Sequence, residues 1–197
     1  MKAIRRIIAL VLILATLVIP MTACSSDYKY VKMTVEGYGD VIIKVDMKAA
    51  PVTAKNFIKL VKDDFYDGLS FHRVMEGFMI QGGMPKDGKT PKPIFGEFLL
   101  NGYDNPIKHE RGVISMARTN EYNSASCQFF ICNSTTQSVR MLDGAYAAFG
   151  WVVEGMDVVD AITSNTAPFG NYNGIIFDQS KQAVISEMKV IRYREKN

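Results

Sequence analysis

The sequence predicts a mainly β domain, an antiparallel barrel or sandwich capped by two helices. Three observations predict it: apolar and polar residues alternate in many short runs, only two stretches repeat apolar residues at helical spacing, and Gly, Asn and Asp gather between the runs. At 197 residues the chain suits one ordinary domain with a continuous core. Its 48% hydrophobic and 11% aromatic content is that of a folded protein rather than a disordered tail. The formal charge of +3 originates in the first 23 residues, where Lys2, Arg5 and Arg6 supply three of the 23 basic residues and no acid occurs. The remainder balances the 20 acidic residues. Without a basic surplus there is no electrostatic footprint for nucleic acid.

The first 23 residues read as an export leader: a basic start, an apolar run over 7–19, then Pro20 and small residues. That run is too short to span a bilayer comfortably as a helix. Residues 24–27 form a tether, and 28–197 the folded domain. Over 28–35, Lys29, Val31, Met33 and Val35 share one face and Tyr28, Tyr30, Lys32 and Thr34 the other, as a strand requires. A Gly-rich turn over 36–40 returns the chain into a strand over 41–45, making a hairpin. Pro51 suits the first turn of a helix whose apolar face is Ala54, Phe57, Ile58 and Val61; it should end near Asp63 or Asp64.

Residues 71–83 carry a guanidinium, large apolar side chains and a carboxamide on strand-like sequence closed by Gly82 and Gly83. A loop rich in Lys, Gly and Pro follows over 84–93. Short strands are expected at 95–100, 111–117, 126–131 and 145–153. A second helix is expected at 155–163, with Val158, Val159 and Ile162 facing inward, and a closing strand at 182–194. Within 126–131, alternation sets Gln128 with Phe130 on one face and Phe129 with Ile131 on the other, so one face fills the interior and the other dresses a groove. Cys127 and Cys132 lie five apart on or beside one strand, roughly 16 Å, too far for a disulfide. His72 and His109 are the only histidines, far apart in sequence, so no metal site or cofactor is expected and each reads as structural or solvated.

Four motifs, in order, resemble the cyclophilin-type peptidyl-prolyl cis/trans isomerases: residues 71–83, Gly112-Val113-Ile114-Ser115-Met116-Ala117, residues 126–131, and Leu142-Asp143-Gly144 followed by Phe149-Gly150. The likeness covers 28–194 and implies a closed eight-stranded antiparallel barrel. It also implies that Arg73 is the principal catalytic residue, with Gln81 and Gln128 orienting it and the substrate backbone. Phe78, Met79, Phe130 and Leu142 would hold the proline ring, with Tyr146 at the pocket edge where many members have histidine. Ala117, Arg118 and Thr119 would line the residues before proline. Taken singly, Phe78, Met79 and Phe130 read as core and Arg73 as a surface charge; together and in this order they read as a site. Met141, where well-known eukaryotic members have tryptophan, argues against tight cyclosporin binding. Arg118 in place of a common Asn, and Met84 in place of a frequent Asp, point to altered substrate preference.

Rotation about an amide meets a barrier of about 18–20 kcal/mol, and an X-Pro bond isomerises in tens to hundreds of seconds. Gaining about four decades requires roughly 5–6 kcal/mol, without nucleophile, metal or proton shuttle. A guanidinium suits the task because it is permanently charged and rigid in its donor geometry. The expected partners are proline-containing peptides and unfolded exported proteins, handled by a monomer. The alternative is a noncatalytic peptide-binding chaperone or scaffold on the same fold, against which Arg73 argues. Finally, Met21-Thr22-Ala23-Cys24 resembles a bacterial lipobox, with Met21 where Leu is usual. This implies cleavage before Cys24, acylation of that residue, and a lipid-anchored domain outside the cytoplasm. An uncleaved signal anchor and a plain secretory leader are the alternatives.

Overall fold

The computed structural model describes residues 27–195. The leader over 1–23 and Cys24 lie outside the described residues. Eight strands follow in order: β1 (Tyr28–Val35), β2 (Gly39–Asp46), β3 (Ser70–Met75), β4 (Met79–Gly82), β5 (Val113–Met116), β6 (Phe129–Cys132), β7 (Ala148–Glu154) and β8 (Ala183–Ile191). They close into a barrel in the order β1-β2-β7-β5-β6-β4-β3-β8, every pair antiparallel. Closure leaves no free strand edge.

Alternation decides what enters the barrel. Val31, Met33 and Val35 of β1 are buried, as are Ile43 and Val45 of β2. Phe129 occupies the middle of the core, its ring centroid 5.4 Å from Tyr66, 5.8 Å from Phe57 and 6.1 Å from Phe71. Helix α1 (Pro51–Lys62) buries Ala54, Phe57, Ile58, Leu60 and Val61 over one opening. No side chain of its own caps its first turn; instead the buried Glu97 carboxylate accepts from the amides of Val52 (3.0 Å) and Thr53 (2.8 Å). A carboxylate there complements the helix dipole. Gly150 is required by close packing, since a Cβ on it would lie 2.2 Å from the Lys44 carbonyl oxygen on β2.

Two short connections depart from expectation. The strand expected at 95–100 is irregular and ends in a single 3-10 turn, Leu99–Asn101. Its backbone is satisfied elsewhere: the Gly96 amide donates to the Asn123 side chain (2.9 Å) and the Leu100 amide to the Gly144 carbonyl (2.9 Å). Beside the two longer helices, α1 and α3 (Met156–Thr166), lies a one-turn helix, α2 (Gln137–Arg140). Four residues are too few to display a helical period. Element ends differ as well: β2 covers Gly39–Asp46 rather than 41–45, β5 Val113–Met116 rather than 111–117, and α3 Met156–Thr166 rather than 155–163, while β6 starts at Phe129 rather than 126, β7 at Ala148 rather than 145, and β8 covers Ala183–Ile191 rather than 182–194.

Truncating the residue at the core's centre tests this packing. Phe129→Ala is expected to lower the unfolding free energy by about 3–5 kcal/mol, read from the denaturation midpoint. A shift below about 1 kcal/mol would show that the ring is not tightly enclosed.

Candidate active site: a guanidinium over an apolar cleft

The stretch 71–83 is a hairpin. Glu76, Gly77 and Phe78 turn the chain between β3 and β4, with Gly77 at φ 72° and the Phe78 amide donating to the Met75 carbonyl (3.2 Å). The turn releases Phe78 from strand alternation, so it packs beside Met79 on the barrel's outer face. Register then aligns the polar groups. Arg73 stands opposite Gln81, Gln81 opposite Phe130, and Phe130 opposite Ser115, one row across β3, β4, β6 and β5. An extra residue in β3 between Phe71 and Arg73, a bulge at His72, lets both His72 and Arg73 line the same cleft.

The cleft has a volume of about 540 Å³. Arg73, Gln81, Phe78, Met79, Ala117, Arg118, Gln128, Phe130, Leu142 and Tyr146, all singled out from sequence, line it. Thr119 does not; it lines a neighbouring polar hollow that shares Gln81, Ala117, Arg118 and Gln128 with the cleft. Met141 is 70% exposed and is absent from the cleft wall. Met79, Phe130 and Leu142 form a small apolar cluster with Cys132 and Val139, outside the barrel and beneath α2.

The half-buried Arg73 is held from three sides. Its Nε donates to the Asn173 carbonyl (2.8 Å), Nη1 to Gln81 Oε1 (3.3 Å), and Nη2 approaches Met75 Sδ (3.3 Å). A guanidinium has five N–H donors, so about two remain for a bound molecule. Gln81 in turn donates from Nε2 to Gln128 Oε1 (2.9 Å), which fixes its oxygen toward Arg73. Burial draws the Arg73 pKa below the usual guanidinium value, which marks a partly desolvated cation; such a group interacts more strongly than one in water. Arg118 is clamped rather than free. Its Nε donates to the Ala145 carbonyl (2.9 Å) and Nη1 to that of Thr119 (2.8 Å), while the guanidinium stacks over Tyr146, Phe98 and Tyr122.

Sequence reasoning missed the layer behind Phe130. His109 is 2% exposed, places Nδ1 3.0 Å from Asp143 Oδ1 and Nε2 3.0 Å from Ser115 Oγ, and stacks on Phe130 at an 18° interplanar angle. Tyr146 meets the same ring edge-on at 5.7 Å. Ser115 is fully buried, so this Ser-His-Asp array has no access to substrate and serves to fix the aromatic floor. The wall formed by residues 173–177 was also unforeseen, because nothing local in Asn171-Tyr172-Asn173-Gly174 tells that it folds back on Arg73.

An arginine held over an apolar cleft on the outside of a closed eight-stranded barrel defines a binding cleft with a cationic donor above an apolar floor. Residues 30–190 match the family described as cyclophilin type peptidyl-prolyl cis-trans isomerase/CLD. The chain is 40% identical over 164 residues to a peptidyl-prolyl cis-trans isomerase A of Dickeya dadantii, covering 78% of this chain and 80% of that protein. It is 38% identical over 157 residues to peptidyl-prolyl cis-trans isomerase B of Escherichia coli, covering 76% and 92%. A solved Cryptosporidium parvum cyclophilin type isomerase superposes with a TM-score of 0.70 at 23% identity, over 85% of this chain and 99% of that one, which shows the shared fold. The chain belongs to the cyclophilin-type family and is a peptidyl-prolyl cis-trans isomerase.

Burial lowers the pKa of both His109 and His72, and for His109 this outweighs the opposing pull of Asp143. Both histidines are therefore neutral in the folded protein near neutral pH, while the unfolded chain takes up protons near pH 6.5. The stability this contributes is present above that value and is lost as pH falls through the folded pKa values. The denaturation midpoint should decline as the pH is lowered from about 7.5 to 5.5, and His109→Gln should flatten that decline. An equally steep decline in the variant would remove His109 from the account.

Proposed function

We propose that the cleft grips X-Pro segments of exported proteins and that Arg73 speeds their rotation, in a protein held at a bacterial membrane by acyl chains on Cys24. The carrying observation is the pair of Arg73 N–H groups left uncommitted by Asn173, Gln81 and Met75, above a floor of Met79, Phe130 and Leu142. As the amide twists, its nitrogen regains the lone pair it had shared with the carbonyl and becomes a hydrogen-bond acceptor. A fixed cationic donor is worth more to that geometry than to the planar ground state, which is the condition for acceleration. Gln81 and Gln128 hold the donor in place, and Ala117, Arg118 and Thr119 lie where the residues before proline would run. The floor takes the ring, and the thioether of Met79 adapts to its pucker.

The export reading is supported by the leader sequence and the Met21-Thr22-Ala23-Cys24 motif. Each acyl methylene that enters a membrane contributes about 0.8 kcal/mol, and two or more chains give a stable anchor where a single chain does not. Anchoring would place the cleft near proteins that fold after export, when X-Pro isomers must still equilibrate.

Arg73→Ala is expected to lower kcat/KM about 10²–10³-fold in a protease-free isomerisation assay while retaining cooperative thermal unfolding. Parental activity in that variant would sink the assignment. Fatty-acid labelling in a bacterial host is expected to mark the full chain and not Cys24→Ser. Label persisting in the variant would mean that another residue, or none of this motif, carries the lipid.

A further inference from the structure

Beyond Arg73 the cleft is closed by a wall that the grip on proline does not use. Ile175 is bridged to Arg73, and the Ile176 amide donates to the His72 carbonyl (2.9 Å), so residues 175–177 lie along the far side of β3 from β5. Phe177 lines the cleft yet is 78% exposed, and Met84, reached from the end of β4, lines it at 47% exposed. The backbone around Phe177 is nonetheless tied down. Gln182 Nε2 donates to the Ile176 carbonyl (2.6 Å), and Asp178 Oδ1 accepts from the Ser180 amide (2.9 Å). A large ring is thus presented to solvent from a fixed segment, continuous with the isomerase groove.

We propose that Ile175, Phe177 and Met84 form a specificity subsite for a large uncharged apolar side chain on the residue that follows proline in the substrate. The inference rests on the isomerase reading of the cleft and names which peptides it favours. Order across the sheet gives the direction. From β5 the cleft passes β6, β4 and β3 before reaching residue 175. If the residues before proline lie by Ala117 and Arg118 and the ring sits on Met79 and Phe130, the chain leaving proline heads for Ile175 and Phe177. Two strand spacings, about 10 Å, separate β4 from that wall. One Cα step of about 3.8 Å and a long side chain cover that distance.

The chemistry of the wall selects in the same direction. Among the described residues no carboxylate lines the cleft, and its polar groups on this side are the amides of Gln179 and Gln182, the His72 imidazole and Arg73. A lysine or arginine after proline would face the Arg73 charge with no carboxylate in the cleft lining to pair with it. An aromatic or branched aliphatic side chain would cover Phe177 and Met84 instead, and the ordering cost is small because the wall is already fixed.

The test uses blocked Ala-Ala-Pro-Y peptides, with Y as Phe, Leu, Ala or Lys, followed by exchange NMR without a coupling protease. The parent protein is expected to favour Phe and Leu over Ala about fivefold in kcat/KM, with Lys slowest, and Phe177→Ala to bring the Phe to Ala ratio within about twofold. Parent rates that ignore Y, or an unchanged ratio in Phe177→Ala, would overturn the subsite. If the parent turns over none of the peptides, the isomerase reading fails separately. The same panel is then read as binding by chemical-shift titration: a preference for Phe that Phe177→Ala abolishes supports the subsite, and an indifferent parent overturns it.

Discussion

Two adjacent rows of side chains running across the same four strands set everything else in this molecule. One row, Val74, Ile80, Ile131 and Ile114, points into the barrel and is wholly buried; the next, Arg73, Gln81, Phe130 and Ser115, points out. Strand geometry forbids a compromise, because a slip of one residue in β3 or β4 would exchange the rows. It would place a guanidinium and a carboxamide in an interior that offers neither water nor a counter-ion, a cost of several kcal/mol. The hydrophobic core therefore fixes the register, and the register aims the site.

Why the site lies outside the barrel follows from size. An eight-stranded barrel has an interior just wide enough for its own side chains, and here Phe129, Phe71 and their neighbours fill it. Binding must use the outer face, where a row of polar groups needs apolar support of its own. The chain supplies that as a second layer: α2 brings Val139 over Cys132, Leu142 follows it, and His109 backs Phe130 from behind. Asp143 connects the two parts, since its carboxylate accepts from both the amide and the ring of His109. Burial raises the Cys132 thiol to about 12, leaving it a neutral packing residue within this layer.

How much of this was legible depended on the range over which each signal acts. Alternation is local, so Val31, Met33 and Val35 declared their burial, and the opposition of Phe129 to Phe130 was readable from six residues. The placement of Phe78 beside Met79 contradicts strict alternation, and Gly77 supplies the bend that resolves it. Residues 95–100 misled because the amides of Gly96 and Leu100 are taken by the Asn123 side chain and the Gly144 carbonyl, partners more than 25 positions away. Glu97 likewise finds its partners far off in sequence, at the amides of Val52 and Thr53 in the first turn of α1. His109 and residues 173–177 are joined to the site only by tertiary contacts, and periodicity carries no trace of such contacts.

If Arg73 is the donor proposed above, the energetics of rotation are matched by a modest set of groups. Roughly 5–6 kcal/mol is needed, and one well-placed donor in a protected site is worth about 2.7–4 kcal/mol. Two N–H groups of a single guanidinium reach that total only if the donor is already oriented and already short of water. Asn173 and Gln81 supply the orientation, and the shift in the Arg73 pKa reports the partial loss of water before any substrate arrives. A proline ring seated on Met79 and Phe130 would exclude more, strengthening the donor at the moment the amide nitrogen becomes able to accept. On that proposal binding and acceleration share one apolar floor, and a change beneath it, at His109 or Ser115, would reach the rate through Phe130, against which His109 stacks.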